Sequence, residues 1–340
     1  MLSQARDDKC NNIVMSDSLP KILQEIHSVR TATELENSLG DFESRISSIL
    51  EAQPEQKNYY INHTGRELYR KLQYYGLQGK ISYSFDSGFR PTFPDWTPAE
   101  ISTQSWHDVS DASTLTITNS IVEGISDKSG NSINLAAASA STKTHTLIES
   151  DLNGLNTVSL DGDDRYSSSG SFSIPDGNLQ AFIVGKVSEV DNASDAILSA
   201  AGTAPNWQLD SGSGTDFRAK ISSTSGSTTA TSTDFKDGYH IFNAFFDWSN
   251  TSIKSYVDGN EEGNTVYSQK LNSSLNLRVF TNRGNSQMPA GKFAEIILCN
   301  DVTDATRQKI EGYLAHKWGL ESNLASTHLY KKVSPFIFDI

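Results

Sequence analysis

The stretch that most limits what this chain can become is its last strand and helix, Lys292–Leu320 (KFAEIILCNDVTDATRQKIEGYLAHKWGL). From Phe293 to Cys299 every position but Glu295 is apolar, the pattern of a strand covered on both faces. Asn300–Asp304 breaks the run, and Thr303 is placed to cap the helix that follows. Ile310, Leu314 and Trp318, with Tyr313 beside them, recur at three- and four-residue spacing, so one stripe faces a core. Gly319 suits the left-handed position that ends a helix, and Leu320 can fold back on Leu314 or Ala315. A buried strand followed by one capped helix closes a β domain and carries no catalytic signature.

The 340 residues suffice for about two domains. Hydrophobic residues make up only 36 %, and Ser, Thr, Asn, Asp and Gly are abundant, which fits short strands joined by polar turns. A formal net charge of −13, with no run of Lys or Arg to reverse it locally, argues against nucleic acid or an anionic membrane as partner. The two cysteines, Cys10 and Cys299, form no obvious pair, and Cys299 reads as a small buried hydrophobe. No segment has the length and apolarity of a signal peptide or a bilayer span, so the expectation is cytosolic synthesis. The sequons at Asn62, Asn192, Asn250 and Asn272 then read as accidents of composition.

The chain divides into unlike parts. Residues 1–17 are polar and read as a disordered or extended start, and 18–79 as a helical anchoring or oligomerisation region. Leu19, Ile22, Leu23, Ile26 and Val29 give one amphipathic helix. A second is expected from Thr33, with Thr33 and Glu36 as a capping box and Pro54 as its stop. Its Leu35, Leu39, Phe42, Ile46 and Ile49 alternate spacings of four and three, a heptad seam. That seam serves either an intramolecular helical hairpin or an oligomer interface, here expected to hold a homo-oligomer, trimer favoured. Thr64 and Glu67 predict a third capping box, for a helix through Leu68, Leu72 and Tyr75 that stops at Gly76. Residues 80–97, with Phe85, Phe89, Phe93 and Trp96 among prolines, read as an aromatic linker arm, and 98–340 as the β domain.

Strands are predicted at Asn156–Leu160, Gln180–Val187, Ala196–Ser199, Phe217–Ile221, His240–Asp247, Ser252–Val257, Asn276–Phe280 and Lys292–Cys299. Ala136–Thr146 and Asp210–Thr233 read as polar loops between them. In His240–Asn260 the residues Phe242, Ala244 and Phe246 alternate on one face, Ile253 and Val257 can meet them, and Asp258-Gly259 forms the next tight turn.

That hairpin resembles the one in concanavalin A-like, laminin-G-type jelly rolls. Trp106–Thr116, Asp127–Asn131, Leu152–Tyr166 and the terminal strand and helix resemble the same family and stand in its order, from about Trp96 to Tyr330. One departure is that Thr303 is followed by Thr306 where the family's helix often carries Glu. The resemblance implies a mainly β fold, a concanavalin A-like jelly-roll sandwich with a small N-terminal α-helical region. It also implies a setting in modular surface proteins or tailed-phage virions. The reading it supports first is a non-enzymatic virion structural protein, a head decoration, fibre or tail appendage, made in the host cytoplasm and partnered by other virion proteins. The alternative is a lectin-like carbohydrate-binding module; a glycan-cleaving enzyme is the third.

Candidate chemistry is sparse. Asp161, Asp163 and Asp164 form a tight acidic cluster that fits either a Ca²⁺ loop or an Asp-Gly turn whose carboxylates bond their own backbone. No other cofactor is implied. Retaining glycosidases need two carboxylates about 5 Å apart, and neither Glu295 nor the pair Glu261-Glu262, expected in a turn, supplies them. No nucleophile elbow or paired metal-ligating histidines occur, and Gly212–Gly214 lacks the following helix of a phosphate cradle. A sugar platform needs an exposed aromatic beside amides, for which Trp207 with Asn206 and Gln208 is the candidate, against core packing of the indole.

Overall fold

The computed structural model describes residues 18–53, 63–74, 96–139, 143–189, 194–211, 216–223, 226–234, 238–332 and 334–335. The chain forms two compact units, Met1–Pro94 and Asp95–Ile340. The start at 1–17, Pro54, Gly76, residues 80–95 of the linker arm and Gly212–Gly214 lie outside the described residues.

The first unit contains helices α1 (Leu19–Ser28), α2 (Ala32–Ala52) and α3 (Gly65–Tyr74). Ser18 caps α1 with Pro20 in its first turn, where a missing N–H costs nothing. The capping box of α2 sits two residues before its expected place. Thr31 Oγ1 accepts from Glu34 N, and the Glu34 carboxylate accepts from both Thr31 N and Arg30 N. Thr64 does not cap α3: its buried hydroxyl donates to Leu19 O at 3.0 Å, tying α3 to α1. Leu35, Leu39, Phe42 and Ile46 are at most 6 % exposed, packed with Leu19, Ile22, Ile26, Leu68 and Leu72, and Ile49 joins them partly buried. The expected oligomer seam is therefore corrected to an intramolecular core, because the apolar stripes of α1 and α3 already cover it. Arg45 fixes the pairing by donating to both oxygens of Glu25 at 2.7 and 3.0 Å.

The second unit contains β1 (Thr103–Asp108), β2 (Leu115–Thr118), β3 (Ile121–Ile125), β4 (Leu135–Ser139), β5 (Thr146–Leu152) and β6 (Leu155–Asp161). The chain continues through β7 (Asp164–Ser173), β8 (Leu179–Glu189), β9 (Ala196–Ala201), β10 (Asn206–Ser211), β11 (Asp216–Ser223) and β12 (Gly226–Asp234). It ends with β13 (His240–Asp247), β14 (Ser252–Val257), β15 (Asn260–Val266), β16 (Ser274–Val279), β17 (Ala290–Cys299) and helix α4 (Asp304–Trp318). All pairings are antiparallel. One sheet has the order β1-β17-β8-β13-β14-β15. The other has the order β2-β3-β4-β7-β16-β9-β10-β11-β12. The β5–β6 ribbon bridges them, β6 pairing with the start of β17 and β5 with β3. This is a concanavalin A-like jelly-roll sandwich.

The two sheets differ in what covers them, and their sequences say why. In the first sheet β8 and β17 are apolar on both sides. Ala181, Ile183, Ile296 and Leu298 face the inter-sheet core, while Phe182, Val184, Ala294 and Ile297 face Ile310, Leu314 and Trp318 of α4. Each fully buried α4 residue of this set stabilises by about 2 kcal/mol, less any burial already present in the unfolded chain. Thr303 Oγ1 accepts from Thr306 N, and Gly319 (φ 69°) closes the helix, with Leu320 N returning to Ala315 O at 2.8 Å. Trp96 packs edge-on against Tyr313 in the same cluster. In the second sheet the strands alternate: Tyr166, Leu277, Val279, Trp207, Leu209, Ala219 and Ile221 enter the core and polar residues take the other face.

The predicted strands are present, His240–Asp247 and Ser252–Val257 with the expected bounds, and Asp258-Gly259 turns with φ of 51° and 78°. Two expected loops are corrected: Ala136–Thr146 contains most of β4, and Asp210–Thr233 contains the β11–β12 hairpin. Glu261 and Glu262, expected in a turn, lie on β15. Among the described residues no helix is long and apolar enough to cross a membrane.

Candidate functional site

The open face of the second sheet gathers polar side chains that are distant in sequence. Strand register sets Lys220, Gln208, Ser199, Arg278 and Ser167 side by side across β11, β10, β9, β16 and β7. Each alternates with a core residue, so its side chain points away from the sandwich. Two residues along, Arg218 and Asp210 are also cross-strand partners.

Asp210 organises one end of this row. Its carboxylate accepts from Arg218 Nε at 2.7 Å and from Gln208 Nε2, with Lys220 Nζ at 3.8 Å. Burial pushes the Asp210 carboxyl above the usual carboxylate range, opposed by the Arg218 hydrogen bond and charge. Arg283, on the loop after β16, donates to Ser222 Oγ and reaches Gln208 Oε1 at 3.5 Å. That loop also covers Ser199, whose hydroxyl donates to Thr281 O at 2.7 Å.

The other end holds Arg165 and Arg278. Arg278 lies opposite Ser167, so Arg165 is its diagonal neighbour, about 7–8 Å away along the ladder. Both guanidiniums are half-buried and both Nε atoms are enclosed without a protein acceptor. Arg165 Nη1 touches only the Met288 sulfur, at 3.9 Å. Burial first, and then the charge of Arg165, lower the pKa of Arg278. Across β7, β16, β9 and β10, Asp210 is the one outward carboxylate among the described residues, and it is already paired with Arg218. These arginines sit on alternating strands in SSSG- and NLRV-like contexts, so a period of two marks them as outward. Their adjacency depends on a strand pairing that the sequence does not specify.

The sequence candidates fall elsewhere. Trp207 is 0 % exposed, set between Phe172 and Phe246 in the inter-sheet core, so it offers no face to a sugar. That expectation is corrected because β10 alternates and the indole takes the inward side. Asn206 and Gln208 point outward but are themselves buried, Gln208 spent on Asp210 and Arg283. Asp161, Asp163 and Asp164 do converge, one oxygen from each lying within 4.8 Å of the others. Yet Asp164 accepts from Thr144 N and Oγ1 and faces His145 Nδ1 at 3.3 Å. Asp163 accepts from Ser139 Oγ, and its N–H turns back to Asp161 at 3.3 Å, the geometry of an Asx turn. Three oxygens are half of the smallest Ca²⁺ shell.

Glu295, which stood alone in its strand by sequence, is the centre of a buried network on the opposite sheet. It accepts from Trp106 Nε1, Lys317 Nζ and Trp318 Nε1, each at 2.7 Å, and from Tyr313 OH at 3.0 Å. Both oxygens are thereby engaged, and the group joins β1, β17 and α4 without reaching solvent. Ser105 and His107 form a 2.7 Å pair that resembles a nucleophile and base, but both are fully buried and no substrate reaches them.

No family model and no curated protein matches the chain. Among solved structures it is similar to domain 4 of AbnA, a GH43 extracellular arabinanase from Geobacillus stearothermophilus, in complex with arabinotriose. The TM-score is 0.47 at 11 % identity, covering 60 % of this chain and 95 % of that one. It is similar to the botulinum neurotoxin type G receptor binding domain, with a TM-score of 0.45 at 10 % identity, covering 65 % of this chain and 52 % of that one. A GH54 α-L-arabinofuranosidase gives a TM-score of 0.43 at 13 % identity, covering 56 % of this chain and 50 % of that one.

Proposed function

We propose that the β unit is a non-catalytic, lectin-like carbohydrate-binding domain that meets its ligand on the outward face of the second sheet. The observation that carries this reading is the group of partly exposed polar side chains Lys220, Arg278, Ser167, Asn276 and Ser171 on the outward side of the second sheet, beside the buried and already paired Gln208 and Ser199. Hydroxyl, amide and guanidinium groups so arranged suit the vicinal hydroxyls of a saccharide. Hydrolysis would need a second carboxylate beside Asp210 on those strands, and Asp210 is bound to Arg218.

The test is a glycan array on the full chain, followed by a reducing-end assay on every saccharide that binds. Saturable binding with no new reducing ends is the expected result. Cleavage would make the protein an enzyme, and a blank array would overturn the reading.

The second reading places the same domain as the outward head of a virion appendage. What favours it is the separate helical unit with its own core, a module available for attachment beside a module for binding. Loss of incorporation into particles on deleting 19–74 is the expected result, and unchanged incorporation refutes it.

A further inference from the structure

From the geometry of β7 and β16 we infer that Arg165 and Arg278 form a seat for an anionic group, the carboxylate or sulfate of an acidic saccharide. The inference rests on the carbohydrate reading above and names the ligand class of that same face.

Two arginines placed diagonally on adjacent strands, half-buried and without a carboxylate partner, are costly to the fold by themselves. Each charge opposes the other, and the enclosed Nε atoms lose water without gaining a protein acceptor. Elsewhere on this face the same problem is solved: Arg218 and Lys220 have Asp210, and Arg283 has Ser222 and Gln208. The Arg165–Arg278 pair is the exception. An oxyanion with two or three coplanar oxygens would bridge the two guanidinium forks and repair both deficits at once.

The surroundings select the rest of the ligand. Ser167, Ser171 and Asn276 line the same strands and supply short hydrogen-bonding groups of the kind a sugar ring uses. No aromatic side chain lies on the outward side of β7, β16, β9 or β10 among the described residues, so there is no platform for a nucleobase or for stacking a neutral sugar ring. The chain's net charge of −13 repels a long polyanion, while the seat acts within about a Debye length, ~8 Å at physiological salt. A single acidic sugar unit, presented by an otherwise hydroxyl-rich oligosaccharide, satisfies all three conditions.

Isothermal titration of the full chain with trigalacturonate, its methyl ester, a sulfated heparin disaccharide and a neutral arabino-oligosaccharide tests this. The expected result is that at least one acidic saccharide binds. Neutralising its carboxylate, or the substitutions Arg278→Gln and Arg165→Gln, weaken binding by about tenfold or more, and binding falls with added salt. Arg278→Lys, which keeps charge but loses the fork, separates bidentate recognition from charge alone and is expected to bind less tightly than wild type. Arg278→Gln relieves like-charge repulsion, so its melting temperature should not fall, which shows that lost binding is not lost folding. Equal binding of acidic and neutral saccharides, unchanged in Arg165→Gln and Arg278→Gln, overturns the seat and leaves the carbohydrate reading standing. No binding of any saccharide overturns both.

Discussion

Replacing Glu295 by alanine removes the acceptor of four buried donors, and the cost can be worked from the geometry. Lys317 keeps a partner, because its Nζ also lies 2.7 Å from Asp108 Oδ1. Among the described residues, the Trp106 and Trp318 indole N–H groups and the Tyr313 hydroxyl donate to Glu295 alone. Each stranded neutral donor costs about 1–3 kcal/mol, so the three together cost at least about 3 kcal/mol, and the cavity adds to this. Against it stands the return of the carboxylate's own desolvation. Burial pushes the Glu295 carboxyl above its ordinary range, with the Lys317 charge as the main opposing influence. With both oxygens engaged the donors outweigh that return, and we expect a net loss of about 4 kcal/mol for Glu295→Ala. Glu295→Gln should lose about 2–3 kcal/mol, since its NH₂ must face either Lys317 and Trp318 or Trp106 and Tyr313. Guanidinium unfolding followed by tryptophan fluorescence reports on this unit alone, because all five tryptophans lie in Asp95–Ile340. A Glu295→Gln protein as stable as wild type, or more stable, would show that desolvation dominates and would refute the reasoning.

Other outcomes follow from the same structure. Burial lowers the pKa of His107 from 6.5 to about 4, partly offset by Asp127, so the unfolded chain binds more protons between those values. Stability contributed by His107 is complete above pH 6.5 and declines by roughly 3 kcal/mol as pH falls toward 4, and His107→Gln should flatten that slope in denaturant titrations across this range. Phe42→Ala should destabilise the helical unit by about 3–5 kcal/mol, lowering the far-UV circular dichroism transition of its helices; an unchanged far-UV transition would contradict this. Gly312→Ala would set a methyl 2.4 Å from Tyr330 Cβ, and displacing that segment from α4 should cost about 1–3 kcal/mol in thermal melts; an unchanged melting temperature would contradict this.

Some strands were legible in sequence and others were not, for a physical reason. β13, β14 and β17 are rich in apolar, β-branched and aromatic residues, so local preference and tertiary demand agree. β7 contains a Ser-rich stretch and β12 reads GSTTATSTD, which by composition looks like loop. They are strands because neighbours on the ladder supply their hydrogen bonds, so context overrides propensity. The heptad seam of α2 was legible as an apolar stripe, but periodicity cannot say whether a stripe meets its own chain or another. Burial against α1 and α3 decided it. Trp207 shows the same limit, since one residue of register moves an indole from platform to core.

By itself the sequence determined the class of fold. The continuous apolar run of β17 marks a strand covered on both faces, the alternation of Phe242, Ala244 and Phe246 marks one face of β13, and Thr303 and Gly319 fix the ends of the last helix. Tertiary structure alone decided which outward side chains become neighbours. Closing a longer loop costs only slightly more entropy than closing a shorter one, so separation along the chain hardly constrains which strands pair. The neighbourhood of Arg165 and Arg278, and the four donors around Glu295, are products of that pairing.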